Sequence, residues 1–257
     1  MKARSASEIS GIAAKDSTMA FEPKNLDLSA KSFEEFVQFF FARSPVPDDQ
    51  QFEYYSHDLG GVRYDEREPS SPKVVVNYMT KLFSNFGTIA PTYSLAQIDQ
   101  GVWGLFGENL RIHRFLWNDT VELEDRLQCI RSMYFVFADF VGSSKIAEVD
   151  SAFFMWWDLF LFSFWVDMDL KNGPGRTYDI SVLNADERAV VDTAFATLTR
   201  VLGLPDLASQ FAALHGLGHL HHPDVSGAVQ AYIEKHADEF TPERLDWVQR
   251  CKDGRIQ

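Results

Sequence analysis

Apolar residues recur along most of this chain at three- and four-residue spacing, the signature of helices that bury one face. The first stripe is Phe33, Phe36, Val37, Phe40 and Phe41, preceded by Ser32 and Glu35. Those two form a capping box, in which each side chain satisfies a free backbone amide of the first turn. Arg43-Ser44-Pro45-Val46-Pro47 stops the helix, because proline cannot donate the next backbone bond. Ser71-Pro72 opens a second helix with Val75, Tyr78, Met79, Leu82, Phe83 and Phe86, and Ser94 with Gln97 caps a third bearing Leu95, Ile98, Val102 and Phe106. Gly101, Gly104 and Gly107 fall at every third position there. Glycine weakens a helix, so this spacing predicts close approach of a neighbour.

Asp119 and Glu122 bracket the next start, followed by Leu123, Leu127, Ile130, Tyr134, Phe137 and Val141. Residues 152–168 are apolar on nearly every side, which places that helix in the middle of the protein, covered by others. Asn184 with Glu187 caps a helix carrying Val190, Val191, Ala194, Phe195, Leu198 and Val201. Pro205-Asp206 opens one with Leu207, Phe211, Leu214 and Gly218; Pro223-Asp224 ends it and begins another with Val225, Val229, Tyr232, Ile233 and His236. Thr241-Pro242 caps a last helix bearing Leu245 and Val248. No stretch alternates as a strand would. The pattern predicts an all-α fold, a single domain over residues 29–257 with roughly nine to ten helices, behind an N-terminal tail (1–28) that shows no periodicity.

Between the first two helices, residues 45–72 are rich in Pro, Asp, Gly and Tyr, with Tyr54, Tyr55 and His57 leading to Gly60-Gly61. An ordered loop or a small hairpin about the glycine pair fits this composition. Loops of such length often carry function, so Tyr54, Tyr55 and His57 are candidate binding residues, against the plainer reading of a surface excursion.

Composition narrows the classes. Lys plus Arg is 24 against 37 for Asp plus Glu, a net charge of −13 with a pI near 4.9. Phosphates are repelled by such a balance, which argues against nucleic acid and anionic membranes and suits a basic protein partner or a cation. The two cysteines, Cys129 and Cys251, exclude a disulfide framework and a Cys-rich zinc module. No signal-peptide pattern follows Met1, and Asp158 interrupts the longest apolar run, which a membrane span would not tolerate. The expected compartment is the cytoplasm.

The candidate chemistry lies in Ala212 to Pro223, where four of the chain's seven histidines (His215, His219, His221 and His222) occur within eight residues. His215 and His219, four apart, share a helix face as neighbouring metal ligands would, and His222 extends that face by one turn. His215, His219 and His222 are thus candidate ligands for zinc or another divalent metal, although the glutamate of the zinc-protease motif is absent, Gly216 standing beside His215. The competing reading is that these histidines only pack between helices and that no cofactor is bound. Asp158, the one charge deep in the apolar run, needs a partner. His215 or His219 is the expected one, and removal of Asp158 is expected to cost about 3 kcal/mol, as for a broken buried pair.

From Asp206 to His236 the chain reads as a helix (Ala213-Leu214-His215-Gly216-Leu217-Gly218-His219-Leu220), a His222-Pro223-Asp224 turn and a second amphipathic helix. In this it resembles one unit of the HEAT or armadillo-like helical repeats. The resemblance covers about 30 residues well and implies a HEAT-like helical array or α-solenoid whose inner surface binds another protein. No nucleophile elbow, phosphate loop or dinucleotide fingerprint is present. The leading expectation is therefore a protein-binding helical scaffold, with neutralisation of a basic toxin or nuclease (an immunity-type role) as its concrete version, rather than an enzyme. The alternatives are a His/Asp-site enzyme or sensor, metal-dependent or not, and a small-molecule binder with an aromatic pocket.

Overall fold

A computed structural model describes residues 27–46, 71–107, 110–143, 152–173 and 178–256. Tyr54, Tyr55, His57 and most of the 45–72 segment lie outside the described residues, as does nearly all of the 1–28 tail.

Ten α-helices occur among the described residues, together with short 3-10 turns, and all regular structure there is helical. They are α1 (Phe33–Phe41), α2 (Pro72–Ser84), α3 (Phe86–Ile89), α4 (Leu95–Phe106), α5 (Leu123–Asp139), α6 (Ala152–Asn172), α7 (Ala185–Leu202), α8 (Leu207–Leu220), α9 (Val225–Lys235) and α10 (Pro242–Lys252). Local chemistry sets their starts. The capping boxes Ser32/Glu35, Ser94/Gln97 and Asn184/Glu187 are all formed. Asp206 accepts from the Ser209 amide at 2.8 Å to open α8, and Thr241 accepts from Arg244 ahead of Pro242 to open α10.

The helices pack in two rows. In one, α1, α4, α6 and α8 lie side by side; in the other, α2, α5 and α7 do. Helix α8 also packs on α7 and so joins the rows at one end, where α9 and α10 lie against it, while α1 meets α2 at the other. Successive long helices thus alternate between rows, an arrangement compatible with a helical repeat.

Helix α6 holds the rows together. Its inner side buries Phe153, Trp156, Trp157, Phe160, Leu161, Phe164 and Trp165. Trp156 touches Phe83 of α2, Phe106 of α4 and Phe137 of α5, with ring centroids 5.1, 4.5 and 6.1 Å away. The start of α6 is tied to α4 by the Ala152 amide, which donates to Asp99 at 2.7 Å. Of the α4 glycines, Gly101 has the cause expected of it, since a Cβ there would stand 2.2 Å from the Phe41 ring of α1, whereas a Cβ on Gly104 would meet Phe40 only at an ordinary 3.4 Å.

One side of α6 is not covered. Met155, Leu159 and Val166 are partly exposed, Phe162 is 57% exposed and Leu170 79%. These five are spaced four, three, four and four residues apart, so they form one outward stripe along the helix.

Candidate functional site

Helix α8 lies between α6 and α7, and Gly216 permits this: a Cβ there would sit 2.5 Å from Trp157 Cβ and 2.8 Å from Leu198 Cδ2. The close approach lays His215 flat on Phe154 of α6, with centroids 4.3 Å apart and planes at 14°. His215 Nδ1 is 3.2 Å from the Phe154 carbonyl oxygen, which can only accept, so Nδ1 carries the hydrogen. His215 Nε2 is then an acceptor, and His219 Nε2 lies 3.4 Å from it and 3.4 Å from Asp158 Oδ1. His219 Nε2 thus faces two acceptors, Asp158 Oδ1 and His215 Nε2, and its one N–H is shared between them, while His215 is anchored separately to the α6 backbone. Burial holds both histidines below their ordinary pKa; for His215 the charge of a protonated His219 acts in the same direction. Both favour the neutral imidazole at pH 7, and their contacts fix α8 against α6.

Asp158 is less deep than the apolar run around it implies. Its side chain is 20% exposed and that of His219 is 21% exposed, because Asp158 lies at the edge of the outward stripe of α6. The expected cost of losing it falls accordingly. Asp158→Ala should destabilise the fold by about 1 kcal/mol, the worth of one partly solvated hydrogen bond rather than of a buried ion pair. Urea denaturation measures this, and a variant as stable as the wild type would show that the contact contributes nothing.

His222 is not brought to His215 and His219. His221 ends α8 in the left-handed conformation (φ 54°, ψ 26°) and turns the chain away from α6. His222 Nε2 therefore meets Asp192 Oδ1 of α7 at 3.2 Å, and its ring stacks on Phe195 with centroids 4.2 Å apart. No group of three or more His, Cys, Asp or Glu side chains placed to hold a metal ion occurs among the described residues. His221 itself stacks on Tyr178, 3.9 Å away and also left-handed (φ 66°), and burial pushes its pKa down to about 4. Together with Gly254 and Lys252 these residues line a cleft of about 240 Å³. Cys129 and Cys251 are buried, and their thiols are pushed up to about 12, so neither supplies a thiolate.

Two features went unread in the sequence. His113, in the 3-10 turn Ile112–Leu116, is wholly buried against Phe106 and Trp117. Among the described residues no atom meets hydrogen-bond geometry with either ring nitrogen, although the Leu105 carbonyl lies near enough to act on the ring. Burial pushes its pKa down to about 3. The second is a polar cavity of about 700 Å³ where that turn, α5, α6 and the start of α7 meet, lined by Arg114, Trp117, Arg126, Lys171, Asp186 and Glu187 among others. A sequence signal for it existed: Arg126 falls three residues after Leu123 and four before Ile130, a charge set into the apolar stripe of α5.

No protein-family model, no curated protein and no solved structure matches the chain. The architecture and these sites define an all-α protein, and no helix among the described residues is long and apolar enough to cross a membrane.

Proposed function

We propose that this protein is a protein-binding helical scaffold of HEAT-like architecture that engages a basic partner, with neutralisation of a basic toxin or nuclease as the concrete version. The observation that carries the reading is the outward stripe of α6, Met155, Leu159, Phe162, Val166 and Leu170. Two strongly exposed apolar side chains, Phe162 and Leu170, in line with three partly exposed ones over four helical turns, are the mark of an interaction face rather than of a solvated surface. Asp158 and Asp169 border it on the same edge, three turns apart. With the net charge of −13, they favour a partner that combines apolar anchors with Lys or Arg. An enzymatic or metal-dependent reading has less support, since His215, His219 and Asp158 direct their polar atoms at one another and at the α6 backbone.

The test compares the wild type with the double variant Phe162→Asp, Leu170→Asp in affinity capture from native cell lysate. Both side chains are exposed, so the melting temperature should stay unchanged. A basic protein retained by the wild type and lost from the variant is the expected result. Identical capture by the two, or a stripe that mediates only self-association, would refute the proposal.

A further inference from the structure

The cavity of about 700 Å³ falls within the roughly 300–1,000 Å³ typical of small-molecule sites. Its charges come in both signs. Arg114, Arg126 and Lys171 face Asp119, Asp167, Asp186 and Glu187, a balance of 3 − 4 = −1. Three pairs account for most of them. Arg114 meets Asp167 at 3.2 Å, Arg126 meets Asp186 at 2.6 Å, and Lys171 meets Glu187. Asp119 is exposed and has no ion pair among the described residues.

Arg126 is the under-compensated member. Its side chain is 3% exposed, yet its partner Asp186 is 47% exposed, and the Arg126 Nε has no acceptor among the described residues. A guanidinium with five N–H donors, removed from water and held by one half-solvated carboxylate, has capacity for a second anion. The start of α7 adds to this. Its capping box uses the Asn184 and Glu187 amides and leaves those of Ala185 and Asp186 without an acceptor among the described residues, at the positive end of an 18-residue helix. A bare anion would still meet four carboxylates in the lining, and a bare cation would meet Arg126 and Lys171. A ligand carrying both charges satisfies the two ends.

We infer that this cavity binds a free α-amino acid, with its carboxylate against Arg126 and the first turn of α7, its ammonium against Asp119, and Trp117 as an apolar wall. The Trp117 indole N–H is already committed to Asp167 at 2.9 Å, so the ring contributes surface rather than a donor. The α6 residues involved, Asp167, Met168 and Lys171, lie on a different face from Phe162 and Leu170. The site is therefore independent of the proposed docking stripe.

The full chain is to be titrated with each of the twenty L-amino acids by thermal shift and calorimetry, with acetate, inorganic phosphate and ethylamine as single-charge controls. At least one amino acid should raise the melting temperature saturably and bind about tenfold or more tighter than any control. Asp119→Asn, at the exposed side chain that receives the ammonium, and Arg126→Lys, which keeps the charge but loses the guanidinium fork, should each weaken that binding by about tenfold. Absence of binding by every amino acid, equal binding by acetate or phosphate, or an unchanged affinity in both variants would overturn the inference.

Discussion

Replacing Trp156 with alanine is expected to cost about 3–5 kcal/mol of folding stability, the range for truncating a fully buried large aromatic. The ring is 0% exposed. Its neighbours come from both rows: Phe83 on α2 and Phe137 on α5 in one, Phe106 on α4 and Phe153 on α6 in the other. Its indole N–H lies 3.4 Å from the Met133 sulfur. Truncation would leave a void walled by rigid rings that cannot collapse into it, and would remove edge-to-face contacts worth about 0.5–1.5 kcal/mol each beyond area burial. Set against a typical domain stability of about 5–15 kcal/mol, that loss brings the variant close to the folding threshold. Chemical denaturation followed by circular dichroism gives the value. A loss below about 1 kcal/mol would mean that the aromatic cluster repacks around the missing ring.

Acidification should unfold the protein through His113. An ordinary imidazole titrates near 6.5, whereas burial pushes His113 down to about 3 in the folded chain. Between those values the unfolded state binds the proton and the folded state does not, so stability falls as pH falls. The full contribution is present above pH 6.5, and the loss is complete near pH 3. At 1.36 kcal/mol per pH unit, His113 alone removes about 3 kcal/mol between pH 7 and pH 4. His215 and His219 shift in the same direction, also through burial, and add to the acid sensitivity. The measurement is urea denaturation at several pH values for the wild type and for His113→Leu. The variant should lose about 3 kcal/mol less over that interval, and parallel curves would remove His113 from the explanation.

Much of the local structure was legible in the sequence because it depends on neighbours a few residues apart. Ser32/Glu35, Ser94/Gln97 and Asn184/Glu187 announced three helix starts, and each box is formed. The apolar run at 152–168 was placed centrally, and α6 does bridge both rows. Its phase was another matter. A helix apolar all round has no preferred inward side in its sequence, so neither the exposure of Phe162 and Leu170 nor the position of Asp158 at the edge could be read from spacing. His222 was misplaced for a different reason. Extending the His215–His219 face presumes a continuing helix, and a left-handed residue that is neither Gly nor Asn at His221 carries no sequence mark. The cavity needed the long-range pairing of Arg126 with Asp186, sixty residues apart, which no local pattern encodes.

The turn at His221 also bears on whether this part of the chain could be exchanged or trimmed without disturbing the rest. In a quasi-one-dimensional array each unit touches only its neighbours, so a segment answers to the units on either side of it alone. Here the eight residues from His215 to His222 answer to several parts of the chain. His215 and His219 read α6, His221 reads Tyr178, His222 reads α7, and Gly218 sits where a Cβ would strike Ile256 near the C-terminus. Swapping this segment as a cassette, or trimming α10 and the residues after it, would disturb all of these neighbours together. The α8 end of the fold is thus tied to several elements at once, as a keystone is.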